Sequence, residues 1–119
     1  MGYVVRGSTN GELLREFTNY LQIVRGMARN TVQSYRYDLE QFAAFLDGQG
    51  VSFKDASQAA ILRFFNRQRG DGRAARTLSR YLAAIRCLYR YLAQERYIQV
   101  DPTVNLETPR LEKHLPRIL

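Results

Sequence analysis

Tryptophan is absent from the sequence, and cysteine and histidine occur once each, as Cys87 and His114. A lone thiol excludes an intrachain disulfide and any cysteine-rich zinc site, and it fits a reducing compartment. One histidine completes neither a Ser-His-Asp constellation nor a metal site. No apolar run approaches the ~20 residues that span a bilayer. The N-terminal MGYVVRGSTNGE also lacks the apolar centre of a secretion signal. A cytoplasmic chain with no membrane partner is therefore expected. Acidic residues are the other shortage: 11 stand against 18 Lys and Arg, for a net charge of +7.

That excess is local. Residues 63 to 96 hold nine Arg against Asp71 and Glu95, whereas the remaining nine basic and nine acidic residues cancel. Charge concentrated on one stretch is the footprint of an anionic partner rather than of a generally basic surface. Sixteen of the 18 basic residues are Arg, which suits bidentate contacts to phosphate or guanine. A GC-rich genome produces the same bias.

Apolar residues make up 45% of the 119, enough for one domain that buries roughly two-thirds of its unfolded surface. They fall at helical spacing. Leu13, Leu14, Phe17, Tyr20, Leu21 and Val24 follow Asn10, a favoured N-cap, with Glu12 placed to complement the helix dipole. Gly26 ends this first helix, and residues 1–9 form a flexible N-terminus. Asn30 caps a second helix, whose stripe is Val32, Tyr35, Leu39, Phe42, Ala43, Phe45 and Leu46, closed by Gly48 and Gly50. Asp55 with Gln58 makes a capping-box pattern, with Ser57 an equal candidate, before a shorter helix carrying Ile61, Leu62, Phe64 and Phe65 and ending near Gly70. The fourth and longest runs from Arg73 to Arg96. Leu78, Tyr81, Leu82, Ile85, Leu88, Tyr89 and Leu92 line one face of it. Arg73, Arg76 and Arg80 recur along another face, and Arg86 and Arg90 point elsewhere.

After Ile98 the periodicity stops, and Pro102, Pro109 and Pro116 recur every seven residues. Residues 100–119 are thus expected to run as an extended connector, anchored by Leu106 and Leu111, beyond a helical domain at 10–99. The ending LPRIL looks cut. No stretch alternates as a strand, and no internal repeat or low-complexity tract stands out. Short connections between four helices imply antiparallel neighbours in an all-α bundle.

The chemistry of catalysis is missing. Asp38 and Glu40 are two apart and do not share a helix face, and Gly70-Asp71-Gly72 lacks the rest of a nucleotide fingerprint. Cys87, Tyr35, Tyr81 and Tyr89 lie within helical patterns and read as packing residues. No catalytic residue, metal site or cofactor is assigned, and the chain reads as a binding module. Free N–H groups at the start of the second helix, beside Arg29, Asn30, Thr31, Gln33 and Arg36, suit a phosphate. A plain N-cap with solvated polar neighbours fits them as well.

Two blocks carry a family resemblance. Thr31, Tyr35, Asp38, Leu39 and Phe42 reproduce a T-x3-Y-x2-D-L-x2-F pattern. Thr77, Arg80, Leu82, Ala84, Ile85, Arg86, Leu88, Tyr89, Tyr91 and Leu92 form the second block, and Asp101-Pro102, Pro109-Arg110 and Leu115-Pro116 follow in order. Together they resemble the N-terminal core-binding domain of tyrosine recombinases, the phage-integrase and Xer family. In one respect the sequence departs from it: Ala59 and Ala60 stand where the family often opens its third helix with acids.

The resemblance implies a SAM-like four-helix domain that forms half of a clamp around double-stranded DNA. A tetramer of protomers would act there without metal or cofactor, and the catalytic domain would lie outside this chain. Carried over by position, the DNA-facing residues become Asn30, Thr31, Gln33, Ser34 and Arg36, then Arg73, Arg76, Thr77 and Arg80, with Arg110 and Lys113 following the backbone in the connector. Asp38, which would repel phosphate, reads as structural, and Arg86 as structural or as a subunit contact. Only about nine residues precede the first helix, which leaves no room for an arm-site-binding domain and leans toward a Xer-like or simple integrase parent. The alternative to DNA binding is a helical protein-interaction domain that self-associates.

Overall fold

The structure, a computed structural model, describes residues 9–106. Among them every regular element is helical: α1 at Asn10–Asn19, α2 at Arg29–Gln49, α3 at Gln58–Gly70 and α4 at Ala75–Gln94. A π-helical turn at Tyr20–Val24 extends α1, and a 3-10 turn at Phe53–Asp55 follows α2. The all-α reading of the sequence holds. The chain divides into two compact units between Asp55 and Ala56. No helix among the described residues is long and apolar enough to cross a membrane.

In the first unit, α1 begins at Asn10 as the sequence suggests, but its N-cap is Thr9 and not Asn10. The Thr9 hydroxyl accepts from the Glu12 amide at 3.0 Å, and the Glu12 carboxylate accepts from the Thr9 amide at 3.1 Å, a reciprocal capping box. Asn10 is thereby released for another task, and it is 5% exposed. Its Nδ2 donates to Asp47 Oδ1 at 2.9 Å and to the Val51 carbonyl at 3.0 Å, while its Oδ1 accepts from the Phe53 amide at 2.7 Å. The start of α1 is thus tied to the end of α2, so the two helices run antiparallel. Leu13, Leu14, Phe17 and Leu21 are buried from α1, and Val32, Leu39, Phe42, Ala43 and Leu46 from α2. Phe53 stacks on Phe42 with ring centroids 5.7 Å apart.

The stripe of α1 stops short of Val24. A π turn holds more residues than an α turn, so Val24 rotates off the buried face and stands 70% exposed, beside Ile23 at 77%. Gly26 then reverses the chain at φ 65°, and the Met27 amide donates back to the Leu21 carbonyl at 3.0 Å, as in a Schellman closure. At the far end of α2, Gly50 alone is the left-handed cap, with φ 70°, and Gly48 lies inside the helix.

In the second unit, Ser57 caps α3 by accepting from the Ala60 amide at 3.1 Å, which settles the choice left open with Asp55. Ala60, Ile61, Phe64 and Phe65 are buried, whereas Leu62, expected inside, is exposed. Phe64 stacks on Tyr81 of α4 at 5.8 Å. Nine side chains of α4 are buried, Tyr81 and Tyr89 among them. The helix is shorter at both ends than the expected span from Arg73 to Arg96: Arg73 precedes it, and Arg96 follows it in a left-handed conformation with φ 66°.

As far as residue 106, the segment after α4 turns rather than running extended. Pro102 to Asn105 form a turn, because Asp101 Oδ1 accepts from both the Thr103 amide at 2.8 Å and the Thr103 hydroxyl at 2.7 Å. The Leu106 amide then donates to the Thr103 carbonyl at 3.1 Å. Leu106 is buried, as the sequence suggests. Leu111, Pro109 and Pro116 lie outside the described residues.

Candidate nucleic-acid interface

Both α2 and α4 open on one seven-residue pattern. Gly26-x-Ala28-x-x-Thr31-Val32 leads into α2, and Gly72-x-Ala74-x-x-Thr77-Leu78 leads into α4. The match is structural as well as sequential. Gly26 and Gly72 both adopt positive φ, 65° and 90°. Ala28 and Ala74 both hold extended cap geometry, at φ −62°, ψ 148° and φ −68°, ψ 154°. So short a repeat, with only Gly, Ala and Thr identical, escapes a search for domain-scale periodicity.

An alanine has no side-chain acceptor, and neither opening has a side-chain cap hydrogen bond. The first backbone bonds run from Val32 to the Ala28 carbonyl at 3.0 Å and from Leu78 to the Ala74 carbonyl at 3.1 Å. The amides of Arg29, Asn30 and Thr31, and those of Ala75, Arg76 and Thr77, precede them and lack intrahelical acceptors. Asn30, read from the sequence as the cap of its helix, is instead the second residue of α2 and exposed. Neither helix has an acidic residue in its first turn, in contrast to α1 with Glu12. Each opening therefore keeps the positive end of its dipole uncompensated.

The side chains around these ends are mostly basic or small and polar. In the first two turns of α2, Arg29, Asn30, Thr31, Gln33, Ser34 and Arg36 are all exposed. Arg29, omitted from the positions carried over from the family, occupies the first helical residue, and its place beside Asn30 was the available signal. Arg36 Nε meets Glu40 Oε2 at 3.2 Å with both side chains about half exposed. Such a pair contributes only ~0.3–0.5 kcal/mol and leaves the two Nη groups of Arg36 outside it.

At the other opening, Arg76 and Arg80 are exposed and four residues apart, so they share a face of α4. Thr77 is half-buried. The Arg80 guanidinium lies 5.8 Å from the centre of the Tyr81 ring, within cation–π range. Arg73 does not continue their row, because it sits ahead of the helix. Its amide donates to the Gln68 carbonyl at 3.1 Å and its Nε to Gln68 Oε1 at 3.3 Å, so α3 holds it beside the opening of α4.

Other sequence assignments separate cleanly. Arg110 and Lys113 lie outside the described residues. Asp38 is 3% exposed, which agrees with a structural carboxylate. Arg63, Arg67 and Arg69 are exposed on α3, and Arg69 donates to Asn66 Oδ1 at 3.1 Å. Arg86 is half-buried and donates through Nη2 to the Leu106 carbonyl. Among the described residues no group of three or more His, Cys, Asp or Glu is placed to hold a metal.

Comparison with known proteins supplies the family. Residues 14–96 match the family described as "Phage integrase, N-terminal SAM-like domain". The curated relatives include the tyrosine recombinase XerD of Pseudomonas aeruginosa, 37% identical over 107 residues that make up 90% of this chain and 36% of that protein. XerD of Lacticaseibacillus casei is 35% identical over 108 residues, covering 90% of the chain and 36% of the relative. XerD of Staphylococcus saprophyticus is 32% identical over 108 residues, covering 90% and 37%. The chain thus spans little more than a third of the length of the curated relatives it matches. No solved structure matches it. Two uncapped helix openings ringed by arginine lie on an all-helical chain matched along nine-tenths of its length, and the chain belongs to the SAM-like N-terminal domains of the phage-integrase, or tyrosine recombinase, family.

Proposed function

We propose that this chain binds duplex DNA as the core-binding part of a site-specific tyrosine recombinase of the Xer kind. The observation that carries the reading is the pair of matching helix openings, each uncapped, free of acids and flanked by arginines. Backbone amides at a helix N-terminus and nearby guanidinium groups are complementary to phosphate. Each such end has a reason to be left unfilled: the DNA backbone supplies the acceptors. On this reading Arg29, Arg36 and Arg73 contact phosphates together with Asn30, Thr31, Ser34 and Thr77, while one or two of Gln33, Arg76 and Arg80 reach base edges and the rest meet phosphate. Arg110 and Lys113 follow the backbone further along.

The parent protein would close around DNA as a clamp, act as a tetramer in the cytoplasm, and cut and rejoin strands through a catalytic domain outside this chain. The relatives named as tyrosine recombinases support that extension, since the matched portion is about a third of each. No metal or cofactor is proposed.

Titration of a labelled duplex against the chain at several salt concentrations tests the reading. About five phosphate contacts give a log-log slope near −4 to −5. Binding that does not change between about 50 and 200 mM salt would refute it. Arg76→Ala should weaken binding, flattening the slope by about 0.9 if its partner is a phosphate, and relaxing sequence preference if it is a base.

A further inference from the structure

We infer that Arg86 is a latch that holds the segment after α4 against the second unit and so sets where the chain leaves it. The segment first turns back at Arg96, whose φ of 66° lets the Tyr97 amide donate to the Leu92 carbonyl at 2.9 Å. Asp101 then folds the next turn through its two bonds to Thr103. At the end of that turn Leu106 is 6% exposed and Thr103 is 3% exposed. A ten-residue strap, 97–106, thus packs at its far end although it contains no regular helix.

What fastens that end is a side chain from the middle of α4. The Arg86 guanidinium donates to the Leu106 carbonyl across 20 residues of sequence. Arg86 is half-buried, whereas Arg76, Arg80 and Arg90 on the same helix are exposed, so its charge serves the interior edge of the unit rather than the solvent. A carbonyl bonded to a cation is a stronger tie than one bonded to a neutral donor. Without it the far end of the strap keeps its local turns and the burial of Thr103 and Leu106, set against the entropy of ordering the residues there. The strap lies at the junction with whatever follows: the family match ends at residue 96, while the Pseudomonas aeruginosa relative remains similar over 107 residues. Arg86 therefore acts as a positioning residue that delivers the next part of a longer chain from a fixed point instead of from a loose end at Arg96.

Residue-resolved hydrogen exchange on the full 119-residue chain tests the latch. Thr103, Val104 and Leu106 amides all donate within the strap and report its opening. Arg86→Gln should speed their exchange about 10- to 100-fold, the range for losing a bond to a charged donor, and should leave the amides of α4 from Leu82 to Leu92 unchanged. Asp101→Ala, which undoes the turn from the other side, should produce the same pattern with Arg86 intact. Unchanged strap exchange in Arg86→Gln overturns the inference. Parallel acceleration of strap and α4 also overturns it, because Arg86 would then support the unit as a whole.

Discussion

Replacing Asn10 by alanine should cost more than removing any single cap in the chain. The side chain makes three hydrogen bonds, and the one from the Phe53 amide is buried. Truncation leaves that N–H with no acceptor and the Val51 carbonyl short of a donor. An unsatisfied buried group costs about 1–3 kcal/mol, and a partly exposed bond such as that to Asp47 contributes about 0.5–1.5 kcal/mol. The sum is about 3 kcal/mol, a large share of the ~5–15 kcal/mol that holds a typical domain. By comparison, Thr9→Ala loses a helix cap worth about 1 kcal/mol, and Asp47→Ala removes one of the three bonds.

Urea unfolding followed by circular dichroism resolves these differences. With a slope of about 1–3 kcal/mol per molar, a loss of about 3 kcal/mol lowers the midpoint by roughly 1–3 M. Asn10→Asp adds a chemical control, since it keeps the acceptor for Phe53 but sets a second carboxylate beside Asp47. Adding Asp47→Asn should recover part of its loss by reversing the donor. If Asn10→Ala shifts the midpoint no further than Thr9→Ala, Asn10 is not the tie between α1 and the end of α2.

Three further outcomes are expected. Ala28→Asp and Ala74→Asp should each stabilise the chain by up to about 1 kcal/mol, by supplying the missing cap and a charge suited to the dipole. Both should weaken binding in the duplex titration; stability and affinity rising together would contradict the role given to the open ends. Arg96→Gly should raise the thermal midpoint by a few degrees, because the left-handed conformation costs a residue with a Cβ about 1–2 kcal/mol and glycine returns less than that in entropy. Phe53→Ala should destabilise by about 3–5 kcal/mol, as expected for a fully buried ring stacked on Phe42, and the loss should appear in the urea midpoint.

Helical periodicity was enough to place all four helices, since buried stripes such as Leu13, Phe17 and Leu21 leave a regular signature. Helix starts were harder to read. Thr9 and Asn10 are both good caps by residue type, and only the distant partners Asp47, Val51 and Phe53 decide between them. At α2 and α4 the rule that a cap is Ser, Thr, Asp or Asn points away from Ala28 and Ala74, and toward Asn30 in the first case. The rule fails where stabilising the helix end conflicts with its proposed use. Most of the residues carried over from the family do lie at the two openings. The sequence pattern places Arg73 inside the helix because an arginine every three or four residues looks the same on either side of a boundary. The bond from Arg86 to Leu106 had no sequence signal: a backbone carbonyl accepts from any chain, and only the fold brings those two residues together.

The π turn at Tyr20–Val24 has a consequence for how such a chain can change length. A deletion within α1 before Leu21 would slide Leu13, Leu14 and Phe17 about 100° around the helix and off the core. Within the wide turn, removing one residue after Leu21 lets the backbone relax toward an ordinary α-helix, with Leu21 still in register and Gly26 still available to close the end. That turn works as an expansion joint: single-residue insertions and deletions along this helix should be accepted there and rejected earlier in it.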